Sequence, residues 1–113
     1  MNYRIIFAVN NQETEKQLRL SGLKEFFGVY KGQGEVSFMD ICDSEESMLK
    51  ILRLAQKHKQ ESVLVLDKSN NGELLFLLTG ERIKLGQWQQ VNSAANLDAY
   101  SIDQNGTIWS CQY

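Results

Sequence analysis

Turn signals that connect strands directly are the feature that most constrains the fold of this sequence. Residues 70–72 (Asn-Asn-Gly) and 103–106 (Asp-Gln-Asn-Gly) each place asparagine and glycine between two short apolar segments. These residue types adopt the positive φ angles of tight hairpin turns at little cost. A further turn is predicted at residues 79–81 (Thr-Gly-Glu). The second half of the chain is therefore predicted to form antiparallel strands that follow one another in sequence.

Strand-length segments flank these turns and also occur earlier in the chain. Residues 3–9 alternate large apolar side chains, and residues 62–66 form a continuous Val and Leu segment typical of a central strand. Gly28, Gly32 and Gly34 precede the second strand and indicate a bulge, a tight turn or a close backbone approach. In chain order, the predicted strands are residues 3–9, 35–42, 62–66, 74–78, 82–85 with an extension through Trp88 and Val91, 100–102 and 107–109.

Two helices are predicted between the early strands. Asn10 is the expected N-cap of the first helix, with Glu13 as its capping-box partner, and Gly22 is expected to end or bend it. Asp43 and Glu46 are the corresponding pair for the second helix. This helix has one apolar face at i, i+3, i+4 and i+7 spacing, formed by Met48, Ile51, Leu52 and Ala55.

The element order β-α-β-α-β-β-β, with a short C-terminal hairpin, predicts an α+β fold. We expect a ferredoxin-like sandwich, in which two helices pack on one face of a mostly antiparallel sheet. At 113 residues the chain has room for a single domain, residues 1–113, with one thin hydrophobic core. Such a domain is expected to be too small to enclose a substrate by itself.

Composition and charge exclude several classes of function. The net charge of −2 gives no general attraction to nucleic acid or to anionic membranes. Apolar runs such as residues 63–66 are far shorter than a membrane-spanning helix, and the N-terminus lacks the pattern of a signal peptide. Without a secretory signal, Cys42 and Cys111 are expected to be free thiols in a cytoplasmic protein.

Generic catalytic motifs are absent from the sequence, including the P-loop, the zinc-binding spacings and the serine nucleophile elbow. His58 lies among lysines at a helix end, where a surface or dipole-stabilising role is expected rather than catalysis. Trp88 and Trp109 are expected to be core or interface anchors. Three carboxylates carry oxygen ligands that suit Mg²⁺, although strand-end and capping roles explain them without a metal: Glu35, Asp40 and Asp43.

The segment of residues 28–38 is unusual because it concentrates Tyr30, three glycines and Glu35 where the second strand begins. Taken alone, it indicates an irregular strand entry with a solvated glutamate. Together with later segments, it forms a pattern of four parts. The parts are Gly28, Tyr30, Glu35 and Ser37; residues 53–55 followed by 63–65 and 68–69; residues 81–82, 85–86 and 90–91; and a final hairpin with residues 102–103, Gly106 and Trp109.

This pattern resembles the bacteriophage S-adenosylmethionine lyases, long called S-adenosylmethionine hydrolases, from Gly28 to the C-terminus. The resemblance implies cleavage of S-adenosylmethionine to 5′-methylthioadenosine and L-homoserine lactone, with no metal or cofactor. In the host cytoplasm, this reaction would deplete the methyl donor and so counter host restriction. The resemblance also implies a homotrimer with active sites at the subunit interfaces.

The resemblance implies roles for individual residues as well. Glu35 and Tyr30 are the expected catalytic residues: Glu35 binds the α-ammonium or the sulfonium, and Tyr30 directs its hydroxyl to the substrate carboxylate or its ring to the sulfonium. Gly32, Gly34 and Ser37 are expected to bind substrate, with backbone groups of residues 32–34 at the adenine edge. Two alternatives stay open: a non-enzymatic module for a nucleotide-type ligand, and a phage anti-defence protein that acts by surface contact.

Overall fold

The computed structural model describes residues 2–9 and 11–112 of the chain. That part of the chain contains eight strands and two helices. In chain order they are β1 (Tyr3–Ala8), α1 (Gln12–Leu20), β2 (Lys24–Tyr30), β3 (Gln33–Cys42), α2 (Glu45–Lys57), β4 (Ser62–Leu66), β5 (Asn71–Phe76), β6 (Arg82–Val91), β7 (Ala99–Asp103) and β8 (Ile108–Gln112).

The eight strands close into a barrel in the order β1-β3-β2-β7-β8-β6-β5-β4, and β4 pairs back to β1. All pairs are antiparallel. The predicted ferredoxin-like sandwich is therefore wrong. The difference depends on β2, a segment in which no strand was predicted from the sequence. Because β2 pairs with β3 on one side and with β7 on the other, it joins the C-terminal hairpin to the N-terminal strands and leaves no open sheet edge.

Helix α1 is capped at both ends. The side chain of Asn11 accepts a hydrogen bond from the backbone N–H of Thr14, which fixes the start of the helix. The predicted cap, Asn10, lies outside the described residues. Gly22 follows the helix with φ +81°, which confirms the predicted end of the helix. No residue of α1 is fully buried, and its Leu18 packs only partly against the core.

Helix α2 covers one side of the barrel, where it packs on β1 and β3. Its capping box is formed by Ser44 and Ser47, one residue later than the predicted pair of Asp43 and Glu46. The predicted apolar face is confirmed, since Ile51 and Ala55 are buried and Met48 and Leu52 pack beside them. No described helix has the length and the apolar character needed to cross a membrane.

Alternation along the strands divides the apolar side chains between two clusters. In β1, Ile5 and Phe7 belong to an outer cluster beneath α2, whereas Ile6 belongs to an inner cluster within the barrel. The outer cluster consists of Ile5, Phe7, Val9, Phe38, Cys42, Ile51, Ala55, Val63, Val65 and Leu75. The inner cluster consists of Ile6, Phe26, Leu66 and Trp88, with Trp109 packed against it.

The two tryptophans are core residues, as predicted. Trp88 is buried, meets Phe26 edge to face with ring centroids 6.1 Å apart, and stacks on Trp109 with centroids 5.9 Å apart. Aromatic contacts of this kind add to the stability gained from burial alone. The three rings therefore form a close-packed aromatic cluster in one part of the barrel interior.

Candidate functional site

A cavity of about 740 Å³ extends into the barrel interior, next to the inner cluster. Strand register explains why this space is open. Ala8 pairs with Ser37, and Gly28 pairs with Ser101, and all four residues line the cavity. Their side chains are too small to fill the interior as the aromatic rings do elsewhere. Small-molecule sites span roughly 300–1,000 Å³. The cavity has a volume in this range but is open to solvent, so the expectation that the domain is too small to enclose a substrate by itself stays a prediction.

The mouth of the cavity lies between a hairpin and a loop. The hairpin joins β2 to β3 through Lys31 and Gly32, which both have positive φ angles (49° and 81°). The loop joins β6 to β7 over residues 92–98. The backbone N–H of Lys31 donates a hydrogen bond to the carbonyl oxygen of Asp98 at 2.7 Å, which ties the hairpin to the loop. We call this end of the barrel, marked by Tyr30, Glu35 and Asp98, the open end.

Four of the five predicted site residues line this cavity: Tyr30, Gly34, Glu35 and Ser37. The fifth, Gly32, lies in the hairpin turn and is not part of the lining. Of the three possibilities predicted for this glycine-rich segment, the structure shows the tight turn and the close approach. A Cβ atom on Gly34 would lie 2.2 Å from the ring of Phe27, so glycine is required for that contact.

Ser37 has the most informative environment of these residues. It is 7 % exposed, yet its hydroxyl group makes no hydrogen bond to any described residue. Its oxygen atom retains some exposed surface, so the hydroxyl group is open to the cavity and available to a ligand. Ser110, by comparison, is also buried and donates its hydroxyl proton to the carbonyl oxygen of Ala99.

The charged side chains in the lining are all acidic. Glu35 and Asp98 both line the cavity, and neither side chain has a hydrogen bond or an ion pair with a described residue. Among the described residues, no Lys, Arg or His lines the cavity. Lys31 is near the mouth, but its Nζ lies 5.4 Å from the centroid of the Tyr30 ring and is not part of the lining. The site therefore has a negative potential that favours cationic ligands.

The lining does not provide an activated nucleophile. Cys111 lines the cavity, and burial raises the pKa of its thiol to about 11. The thiol is therefore protonated at neutral pH and is a weak nucleophile. His58 is not part of the lining, although its carbonyl oxygen accepts a hydrogen bond from the side chain of Gln60, which lines the cavity. It lies at the C-terminal cap of α2, the helix end at which the sequence placed it.

The carboxylates considered for Mg²⁺ do not form a cluster. Asp40 accepts a hydrogen bond from the backbone N–H of Ile41, and Asp43 precedes α2. Within residues 2–9 and 11–112, no group of three or more His, Cys, Asp or Glu side chains is placed to hold a metal ion.

Sequence reasoning missed part of the lining. Asp98 belonged to no motif, Ala8 and Ser101 were treated only as strand residues, and Gly28 was part of the resemblance pattern without a predicted role in the site. The signal that could have found these three is the occurrence of small residues at inward positions of neighbouring strands. That signal becomes visible only when the strand order is known, because Gly28 and Ser101 are far apart in the sequence.

Fold and site together define a small closed β-barrel with an anionic cavity for a small molecule. A sequence model of the S-Adenosylmethionine lyase family matches residues 8–112, so the chain belongs to that family. The resemblance noted in the sequence is thereby confirmed. No curated protein matches the chain.

Proposed function

We propose that this protein cleaves S-adenosylmethionine to 5′-methylthioadenosine and L-homoserine lactone, with the substrate bound in the barrel cavity. Membership of the S-Adenosylmethionine lyase family supports the substrate and the class of reaction. The observation that carries the proposal is the cavity at the open end, whose lining contains two unpaired carboxylates and, among the described residues, no cationic side chain. S-Adenosylmethionine has a sulfonium, an ammonium and a carboxylate, so its net charge of +1 complements this lining.

The proposed reaction needs no nucleophile from the protein. The substrate carboxylate attacks its own Cγ atom, a C–O bond forms, and the C–S bond breaks with its electron pair remaining on sulfur. The sulfonium thereby leaves as a neutral thioether, and a five-membered lactone closes. A protonated Cys111 and a lining without histidine are compatible with such chemistry.

The contribution of the protein is to hold the methionine arm folded, so that the carboxylate oxygen and Cγ meet. Positioning of this kind can supply up to about 7–11 kcal/mol in the best intramolecular cases. Glu35 binds the ammonium or the sulfonium, and the Tyr30 hydroxyl donates to the substrate carboxylate. Ser37 and the backbone of Gly34 contact the substrate, while Gly32 shapes the turn.

The inner part of the cavity suits the adenosine. Its lining includes Leu64, Leu74 and Trp88, which provide an apolar surface away from water. A drier site also favours a step in which a carboxylate and a sulfonium neutralise each other. The adenine therefore lies deepest, and the charged methionine arm remains at the open end, beside Glu35.

The biological setting remains part of the proposal. In a phage-infected host cytoplasm, this reaction depletes the methyl donor and thereby counters restriction.

The proposed homotrimer has a candidate contact surface beside the mouth. Tyr30 is 61 % exposed and Phe27 48 % exposed there, which leaves apolar surface for a neighbouring copy. The molecular mass in solution tests the trimer: a monomer with full activity excludes a shared site.

A product assay tests the reaction. The protein is incubated with S-adenosylmethionine, and the products are separated and identified by mass spectrometry. Catalytic release of 5′-methylthioadenosine together with homoserine lactone supports the proposal. Tight binding without release indicates the ligand-binding module, and neither binding nor release indicates the anti-defence interaction protein.

Water enriched in oxygen-18 distinguishes the proposed route from direct hydrolysis. Intramolecular attack forms the new bond to Cγ with an oxygen of the substrate, so the Cγ oxygen stays unlabelled even if the lactone later opens. Attack by water places the label on the γ-hydroxyl of homoserine. Label at that position contradicts the proposed mechanism.

The assignment of Glu35 is tested by Glu35→Gln, which keeps the size of the side chain and removes its charge. We expect kcat/KM to fall on the order of 100-fold, the size typical for loss of one electrostatic contact to a reacting group. Glu46→Gln is the matched control, because Glu46 lies in the first turn of α2, outside the cavity lining. Full turnover by Glu35→Gln contradicts the assignment.

A further inference from the structure

The open end carries a carboxylate that the proposed reaction does not use. Asp98 belongs to the loop between β6 and β7, whereas Glu35 belongs to β3. Both line the same cavity, and they approach its mouth from separate parts of the chain. The backbone hydrogen bond from Lys31 to Asp98 holds this loop against the hairpin. Asp98 is therefore tethered at the mouth, with its carboxylate uncommitted to any described residue.

Carboxylates that stabilise turns or strands in this protein have partners. Asp103 accepts hydrogen bonds from the backbone N–H groups of Asn105 and Thr107 and from the indole of Trp109. Glu73 pairs with Arg82. The Asp98 side chain has no such partner among the described residues, so it is available to a ligand in the cavity that it lines.

Ser37 provides a second, independent indication of a ligand at this place. The residue is 7 % exposed, and its hydroxyl group has no hydrogen-bond partner among the described residues. Ser37 lines the same cavity as Glu35 and Asp98, so one bound molecule can contact all three residues.

We infer that Asp98 is a second cation-binding residue, which makes the site select its ligand by net positive charge. The inference rests on the proposed function and extends it. With Glu35 at one of the two cationic groups of S-adenosylmethionine, Asp98 binds the other. The neutral product 5′-methylthioadenosine, and the demethylated analogue S-adenosylhomocysteine with net charge zero, lose this attraction. Selection by charge thus favours entry of the substrate and release of the thioether product.

The test compares two ligands that have no sulfonium group and therefore cannot undergo the proposed cleavage. They are sinefungin, in which an amine-bearing carbon replaces the sulfonium, and S-adenosylhomocysteine. Dissociation constants are measured by calorimetry and by tryptophan fluorescence, since Trp88 lines the cavity. We expect the wild-type protein to prefer sinefungin. In Asp98→Asn, we expect this preference to fall by about fivefold, the range of a partly exposed ion pair, with binding of S-adenosylhomocysteine unchanged.

Two further variants separate a specific role from a general one. Asp98→Glu keeps the charge and is expected to retain the preference. Asp43→Asn removes an equal charge outside the cavity lining and is expected to leave the preference unchanged. With S-adenosylmethionine, Asp98→Asn is expected to raise KM by a similar factor and to leave kcat nearly unchanged, whereas misfolding lowers both ligand affinities together.

The outcomes distinguish this inference from the proposed function. If the wild-type protein cleaves S-adenosylmethionine and Asp98→Asn shows the wild-type preference and KM, the inference is wrong and the function stands. If the wild-type protein does not cleave S-adenosylmethionine but prefers sinefungin, and Asp98→Asn loses that preference, the inference stands without the lyase activity. If the wild-type protein binds both ligands equally, selection by charge is excluded.

Discussion

The two ends of the barrel use the same residue types in opposite ways. At the end opposite the mouth, which we call the closed end, Asp67 accepts hydrogen bonds from the backbone N–H groups of Ser69 and Asn71 and from the Asn71 side chain. Arg4 donates to the carbonyl oxygen of Asp67. At the open end, Glu35 and Asp98 have no such partners among the described residues. Committed carboxylates stabilise turns, and uncommitted ones remain available to a ligand.

The pKa values of the closed-end carboxylates reflect this commitment. Hydrogen bonds from Asn71, first through its backbone N–H and then through its side chain, lower the pKa of Asp67 below its ordinary range. The indole N–H of Trp109, together with backbone N–H groups, lowers the pKa of Asp103 in the same way. Because donors favour the ionised form, both carboxylates contribute to stability only while they are charged.

The interior shows the same contrast in packing. The closed end is filled by the rings of Phe26, Trp88 and Trp109, whereas small residues leave the open end hollow. Stability is therefore concentrated at one end, whereas the proposed ligand site lies at the other.

The largest expected effect is on stability at the closed end. Phe26 is 2 % exposed, and we expect Phe26→Ala to lower the free energy of unfolding by about 3–5 kcal/mol. Tyr30→Ala removes an exposed aromatic side chain at the open end and is expected to stay within about 0.5 kcal/mol of the wild type. Urea unfolding followed by circular dichroism measures both. Equal losses for the two variants contradict the division between the ends.

Filling the hollow tests the open end by activity. Ser101 pairs with Gly28 and lines the cavity, so Ser101→Leu places a large side chain in the space proposed for the substrate. We expect kcat/KM for S-adenosylmethionine to fall at least about tenfold, because the loss of one good substrate contact already has that size. The urea midpoint is expected to remain near that of the wild type. Ser101→Ala is the control, and a fully active Ser101→Leu variant places the substrate elsewhere.

A smaller effect is expected from Asp103→Asn at the closed end. The native pKa of Asp103 lies below its ordinary value of 3.8, so its contribution to stability is complete above that pH and is lost as the pH falls through the native pKa. We expect Asp103→Asn to unfold at lower temperature than the wild type at pH 7, with the difference disappearing in strong acid. Activity per folded molecule is expected to be unchanged. Thermal melts across the acid range measure this, and a difference that does not depend on pH contradicts it.

Local patterns were sufficient to predict most strands and both helices. The alternation of residues 35–42, the turn at residues 103–106 and the apolar face of α2 all appear in the structure. The turn predicted at residues 70–72 lies earlier, at residues 67–70, because Asn71 and Gly72 already belong to β5. The segment Lys24–Tyr30 was missed because its adjacent aromatics, Phe26 and Phe27, obscure the alternation: one is buried in the barrel and the other is exposed. The closure of the barrel depends on pairing this strand with β7, a long-range contact that no local signal encodes.

The candidate site was predicted in the same uneven way. Tyr30, Glu35 and Ser37 were selected through the family resemblance of their segment, and the structure places all three on the cavity. Asp98 reaches the same mouth from a loop with no pattern of its own. Its position depends on the hydrogen bond that joins that loop to the hairpin, which is a property of the folded chain.

A crystal structure of the protein with sinefungin would show directly whether the barrel cavity is the substrate site. We expect the adenosine to lie in the barrel cavity against Trp88, with the cationic groups of the ligand beside Glu35 and Asp98. We also expect a hydrogen bond between the ligand and the Ser37 hydroxyl group. Sinefungin bound on the outside of the barrel, with the cavity empty, would show that the substrate site lies elsewhere.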